Sequence, residues 1–169
     1  LFESNKEQLK PHPNKTKTFD RILDLLAAVG LIALLAYPIG FYPQLPDQIP
    51  VHFNFRGAVD ALGPKSFIWF IPAIGGLLFL LLNLLNRYPE KINYPPKWRK
   101  SETESQYNLA RRMLRILKVL IIHILLYLNL HIIQLALDQP NSLHVYTVSI
   151  LLCLLGCTLF YFLERNRKQ

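Results

Sequence analysis

The sequence predicts an all-α membrane protein of four transmembrane helices, with a structured, Pro-rich outer loop between the first two. Three observations lead there. Apolar residues gather into four blocks, each near the roughly 20 residues a helix needs to cross a bilayer core. Basic residues fall in alternate connecting segments. The connection between the first two blocks carries Pro38, Pro43, Pro46 and Pro50, a spacing that excludes a continuous helix.

Composition supports the same class. A chain of 169 residues that is 51% hydrophobic and 18% charged has too little polar surface to keep four apolar helices wet in a single soluble domain. The net charge of +8 would suit nucleic acid in a soluble protein. Here Lys and Arg lie between the apolar blocks, so they point to membrane topology and no nucleic-acid partner is expected. Cys153 and Cys157 stand four apart in an apolar run; a helix puts them on one face in poor geometry for a mutual bond. Neither a disulfide framework nor a metal finger is implied. The chain begins at Leu1, and its charged opening stretch to Lys17 lacks a signal-peptidase pattern, which is compatible with a natural start further upstream.

The spans are expected near 22–41, 66–85, 113–137 and 143–163, together forming a four-helix domain over 22–163. Around them, 1–21 is a basic tail, 42–65 the outer loop, 86–112 a basic loop and helix start, and 164–169 a short tail. Direction follows from Lys and Arg near the span ends, which are held on the cytoplasmic side. The N-terminal tail has Lys6, Lys10, Lys15, Lys17 and Arg21, and the segment before span three has Arg87, Lys91, Lys97, Arg99, Lys100, Arg111 and Arg112. The outer loop has only Arg56 and Lys65, the turn at 138–142 has none, and the C-terminus has Arg165, Arg167 and Lys168. Both termini are therefore expected in the cytoplasm of a multi-pass cell-membrane protein. Trp69 and Trp98 suit interfacial anchoring.

Between spans two and three, Pro89, Pro95 and Pro96 break the chain, and Ser101 with Glu104 forms a capping-box pattern. A helix is expected to start there and run on into span three. Its first turns offer Arg111, Arg112, Arg115 and Lys118 to topology or to anionic lipid.

In the outer loop, His52, Asn54, Arg56, Gly57, Asp60, Gly63 and Lys65 crowd into one stretch, with Val51, Phe53 and Phe55 alternating among them. The alternation favours a short strand-like piece. The stretch LPDQIPVHFNFRGAVDALGPK resembles the signature of a bacterial integral-membrane family of unknown function, whose domain also forms the N-terminal part of the SdpI immunity protein. The resemblance rests on Leu45, Pro46, Asp47, Ile49, Pro50, His52, Phe53, Asn54, Gly57, Asp60 and Lys65. A second likeness lies in Asn93, Tyr94, Pro95, Gln106, Tyr107, Arg111 and Arg112. It implies a toxin-immunity-like or ligand-sensing role; the additional C-terminal spans of the larger SdpI architecture have no counterpart in these residues.

Candidate ligand-binding residues are thus His52, Asn54, Arg56, Gly57, Asp60 and Lys65. His52, Asp60 and His144 are candidates for a metal, with Asp47 nearby, although no established zinc spacing is present. The plainer reading makes His52 a loop-folding residue, supported by pairing of Asp60 with Lys65. On span three, His123, Tyr127 and His131 share a face, and with Asn129 and Gln134 suit contacts between helices. His123 and His131 stand roughly 12 Å apart along the axis, too far to share one ion. Asn83 and Asn86 suit a polar helix contact, and Pro72 with Gly75 and Gly76 a close backbone approach.

There is no HExxH, no nucleophile beside a base, no phosphate loop and no nucleotide fingerprint. A non-enzymatic protein without cofactor is expected, working through the outer loop on a peptide or envelope ligand. The alternatives are an accessory subunit of a larger membrane complex and a metal- or cofactor-binding membrane enzyme.

Overall fold

The computed structural model describes residues 18–54, 56–88 and 104–138, with 150, 153–158 and 160–161 from the last apolar block. The rest of that block, including His144, lies outside the described residues, as do Trp98, Asn93 to Pro95 and Ser101, the first half of the capping-box pattern.

Among the described residues three long helices carry the fold: α1 Thr18–Phe41, α2 Phe70–Arg87 and α3 Glu104–Ala136. They lie in the stretches Thr18–Gln44, Lys65–Arg87 and Tyr107–Ala136, each long and apolar enough to cross a membrane. The described residues of the fourth block are helical, and Cys153 and Cys157 among them are free and exposed. The protein is mostly helical and suits a multi-pass membrane protein.

One part of the all-α expectation is corrected. The connection between α1 and α2 folds into an antiparallel pair, β1 Gln48–Phe53 and β2 Val59–Pro64. Its register pairs Gln48 with Pro64 and Ile49 with Gly63, then becomes irregular between Pro50 and Phe53. Pro50 brings no N–H to a ladder, and an irregularity beside it is the usual accommodation. Short 3₁₀ turns, Tyr42–Gln44 and Lys65–Trp69, join the hairpin to the helices.

The bundle has α3 packed against both α1 and α2. Leu23, Ala27, Gly30, Leu34 and Pro38 form the buried stripe of α1, spaced three or four apart as one helix face requires. Its opposite side, with Ile22, Leu25, Val29, Ile32 and Ile39, stays exposed, as do Leu77, Leu80 and Leu84 of α2. Those side chains suit lipid tails, which are as apolar as leucine. Small residues let the helices close up. A Cβ at Gly75 of α2 would collide with Leu34, and one at Gly30 of α1 would stand 3.0 Å from His123 Cε1 of α3.

Proline creates a vacancy in the backbone bonding that α3 fills. Pro72 has no N–H for the carbonyl four residues back, that of Ile68. In an apolar surround such a carbonyl must find another donor. Asn129 Nδ2 supplies it at 3.0 Å, from a side chain 1% exposed.

The end of the bundle away from the hairpin is held by charge. Lys118 lies on the buried stripe of α3, with Ala110, Leu114 and Ile122, and is only 2% exposed. Its Nζ donates to Asp24 Oδ1 at 2.8 Å and to Asn83 Oδ1 at 2.7 Å, so one ammonium joins all three helices. Arg115 Nε donates to Asp24 Oδ2 at 3.0 Å, and its Nη1 lies 3.3 Å from Asp20 Oδ2. Arg112 Nε donates to Asp20 Oδ1 at 3.2 Å. This corrects the expectation that Arg115 and Lys118 are open to lipid. Asp20 and Asp24, one turn apart on α1, turn these cations inward.

The asymmetry of the ladder gives a test. Asp24→Ala strands the buried ammonium of Lys118, whereas Lys118→Met leaves Asp24 paired with Arg115. The aspartate variant should lose about 3 kcal/mol and the lysine variant clearly less, in denaturant unfolding of detergent-solubilised protein. Equal losses, or the reverse order, would contradict the ladder.

Candidate functional site

The hairpin is seated by its first strand. Ile49 is 1% exposed and joins Leu45, Ile68 and Ile133 in a core flanked by Tyr37, Phe41, Tyr42, Ile132, Ala136 and Leu137. Burying one such side chain contributes about 2 kcal/mol, and this cluster draws on α1, α3, β1 and both 3₁₀ turns. At the base, Lys65 N–H donates to the Asp47 carbonyl at 3.0 Å. The Lys65 ammonium lies 5.6 Å from the Tyr42 ring centre and 3.5 Å from Asp47 Oδ1. Asp47 is 98% exposed, so this ion pair adds little and the backbone bond is the stronger pin.

The turn is built by Asn54. Its Oδ1 accepts from the N–H of Arg56 at 2.9 Å and of Ala58 at 3.0 Å. Its backbone N–H donates to the Ala58 carbonyl at 2.9 Å, and its own carbonyl accepts from Gly57 N–H at 2.9 Å. A side-chain oxygen one or two atoms from the backbone is what lets Asn and Asp close such turns. Gly57 sits at φ 76°, a left-handed conformation in which a Cβ is costly.

Above this base, His52 of β1 and Asp60 of β2 meet at 2.5 Å between Nδ1 and Oδ1. Their side chains are 69% and 41% exposed, so the pair faces the surroundings and is open on one side. Val51, Val59 and Leu62 are also exposed. Val51 lies over Gly63, where a Cβ would come within 2.9 Å of Val51 Cγ1. The other side of β1 reaches α3 through Phe53, whose ring stacks on His131 with centroids 6.0 Å apart. His131 in turn stacks on Tyr127 at 6.1 Å.

The candidates read from the sequence therefore divide by role. His52 and Asp60 come together, Asn54 and Gly57 shape the turn, and Arg56 is exposed on it with its N–H held by Asn54. Lys65 goes to Asp47 and Asp60 to His52, in place of the expected pairing of Asp60 with Lys65. Of the metal candidates, only His52 and Asp60 are described, and among the described residues no three His, Cys, Asp or Glu side chains cluster. On α3, His123 Nδ1 lies 2.8 Å from the Val119 carbonyl of its own helix. Gln134 Oε1 is buried with no hydrogen-bond partner among the described residues.

Sequence reasoning missed the charge ladder at the basic end. Its signal was present: two aspartates one turn apart entering span one, and basic residues at steps of three entering span three. Charges inside an apolar span are expected to pair with one another. Counting only Lys and Arg for direction set the aspartates aside.

Residues 29–76 match a domain of unknown function, DUF1648, a segment that runs from α1 through the hairpin into α2. An uncharacterised protein of Archaeoglobus fulgidus is 34% identical over 96 residues, covering 52% of this chain and 51% of the relative. The chain thus spans about half the length of the curated relative it matches. No solved structure matches. The chain is thus similar to proteins whose function is not established, and the matched domain carries the whole hairpin with the adjoining parts of α1 and α2.

Proposed function

We propose that this is a non-enzymatic multi-pass protein of the cell membrane that senses or binds a peptide or envelope ligand through the hairpin. The hairpin faces outward and both termini lie in the cytoplasm, as the distribution of Lys and Arg supports. The observation that carries the reading is the open His52–Asp60 pair beside exposed Val51, Val59 and Leu62, on a hairpin whose base is pinned to the bundle. Exposed loop chemistry on a rigid scaffold is the usual arrangement of a recognition surface.

Each candidate has a part in it. His52 and Asp60 offer a polar pair that can exchange its mutual bond for bonds to a ligand. Arg56 supplies a cation at the tip, Asn54 and Gly57 hold the turn, and Lys65 secures its base. The resemblance of this stretch to the immunity-protein signature supports a toxin-immunity-like version of the reading, in which the ligand is a peptide.

Two expectations follow. Deleting the gene should sensitise the source organism to a peptide toxin or envelope stress, and His52→Ala or Asp60→Ala should fail to restore resistance. Membrane-inserted protein, followed by immunoblot of isolated membranes, should stay at the wild-type level because neither residue lies in a helix. Equal loss of inserted protein would assign the pair to folding. Separately, Asn54→Ala removes two turn bonds and should destabilise the hairpin by about 1–2 kcal/mol. Amide exchange should accelerate around 54–58 while that of α3 stays unchanged; uniform acceleration would contradict a locally held turn.

A further inference from the structure

The ladder at the basic end has an unequal count of charges. In order it runs Lys118, Asp24, Arg115, Asp20, Arg112, so that each carboxylate lies between two cations. Among the described residues three positive groups meet two negative ones, which leaves a surplus of one positive charge. Both ends of the ladder are cations, Lys118 and Arg112, and they stand in different surroundings.

The inner end is closed. Lys118 is buried, gives one N–H to Asn83 and one to Asp24, and lies 5.1 Å from the centre of the Phe79 ring. Among the described residues it is 2% exposed. The other end is open. The Arg112 side chain is 40% exposed, and its contact with Asp20 is made through Nε. A guanidinium carries five N–H donors in a planar fork, and among the described residues its Nη edge has no acceptor, which leaves that edge for one more. Phe19 lies beneath, with the Arg112 guanidinium carbon 5.7 Å from its ring centre, and Phe19 is itself 52% exposed.

Position along the helices completes the argument. Phe19 is next to the first residue of its apolar stretch, and Arg112 is five residues into Tyr107–Ala136. Both therefore stand where headgroups give way to acyl chains. An exposed ring suits the first methylenes of a lipid, and the planar fork above it matches phosphate oxygens two at a time.

We propose that Arg112, with Phe19 beneath it, binds the phosphodiester of an anionic membrane lipid, which supplies the negative charge the ladder lacks. The lipid is a lasting component of the bundle end, held at one place rather than drawn loosely to a basic surface. Of the four basic residues that enter span three, the ladder turns Arg115 and Lys118 inward and reserves Arg112 for the headgroup. The site lies at the end away from the hairpin, so it does not depend on the receptor reading.

The test uses the full chain in mild detergent, with phosphatidylglycerol, phosphatidylcholine and inorganic phosphate as separate probes. Native mass spectrometry should find one phosphatidylglycerol retained per chain, and the melting temperature should rise with that lipid and not with phosphatidylcholine. Arg112→Gln should weaken phosphatidylglycerol binding about fivefold, whereas Arg87→Gln, at the same end of α2, should leave it unchanged. Phe19→Ala keeps every charge of the ladder and should weaken binding about threefold, which preserves the test if Arg112→Gln does not fold. Equal retention of the two lipids, unchanged binding in both the Arg112 and Phe19 variants, or equal loss on Arg87→Gln would overturn the site. Stabilisation by inorganic phosphate matching that by phosphatidylglycerol would overturn the lipid assignment.

Discussion

The bond between the Lys118 ammonium and the Asp24 carboxylate is the constraint around which the helices are arranged. A lysine on the buried stripe of an apolar bundle is tolerated only where a carboxylate and a further acceptor meet it. Asp24 comes from α1 and the second acceptor, Asn83, from α2. Satisfying one charge therefore sets the rotation and the height of two helices against the third. Arg115 and Arg112 repeat the pairing toward the helix ends, so α1 cannot slide by a turn against α3 without breaking several charged contacts together. The close approaches at Gly30 and Gly75 are then consequences of that register as much as causes of it.

At the hairpin end the same three helices are joined by neutral means. Asn129 gives its amide hydrogen to the carbonyl that Pro72 leaves without a helical donor, and Ile49 and Leu45 fill the space between Ile68 and Ile133. Phe53 carries β1 onto the ring of His131. These contacts hold the hairpin through apolar area and one buried amide bond. The turn above them is closed by bonds internal to residues 54–58, so the tip can change partners without disturbing the seat.

Much of this was legible in the sequence. Spans announce themselves because an unbroken apolar run of sufficient length has few alternatives, and the alternation of Val51, Phe53 and Phe55 announced an extended piece. Its pairing with 59–64 was not legible, since a two-stranded sheet depends on partners the alternation does not name, and β2 is almost wholly exposed, so it lacks the alternating pattern of a half-buried strand. His52 and Asp60 were singled out by residue type, but their mutual bond, and that of Lys65 with Asp47, follows from a register that the irregularity beside Pro50 shifts. The ladder escaped because its halves lie about ninety residues apart. Each half taken alone reads as an ordinary span flank. Asn129 looked like a residue for contacts between helices, and the reason for its position, a proline in α2, appears only when the carbonyl of Ile68 is asked where its donor is.

The two ends of the bundle therefore differ in how much free energy a local opening requires. Separating the ladder leaves the buried Lys118 ammonium without its carboxylate, which costs several kcal/mol. Lifting the hairpin tip breaks neutral turn bonds worth about 1 kcal/mol each and leaves the freed groups in contact with water. A protein built this way concentrates its local freedom at the hairpin and its rigidity at the basic end. That division suits the receptor reading proposed for the hairpin, in which the part that would meet a ligand adjusts while the helix register beneath it stays fixed.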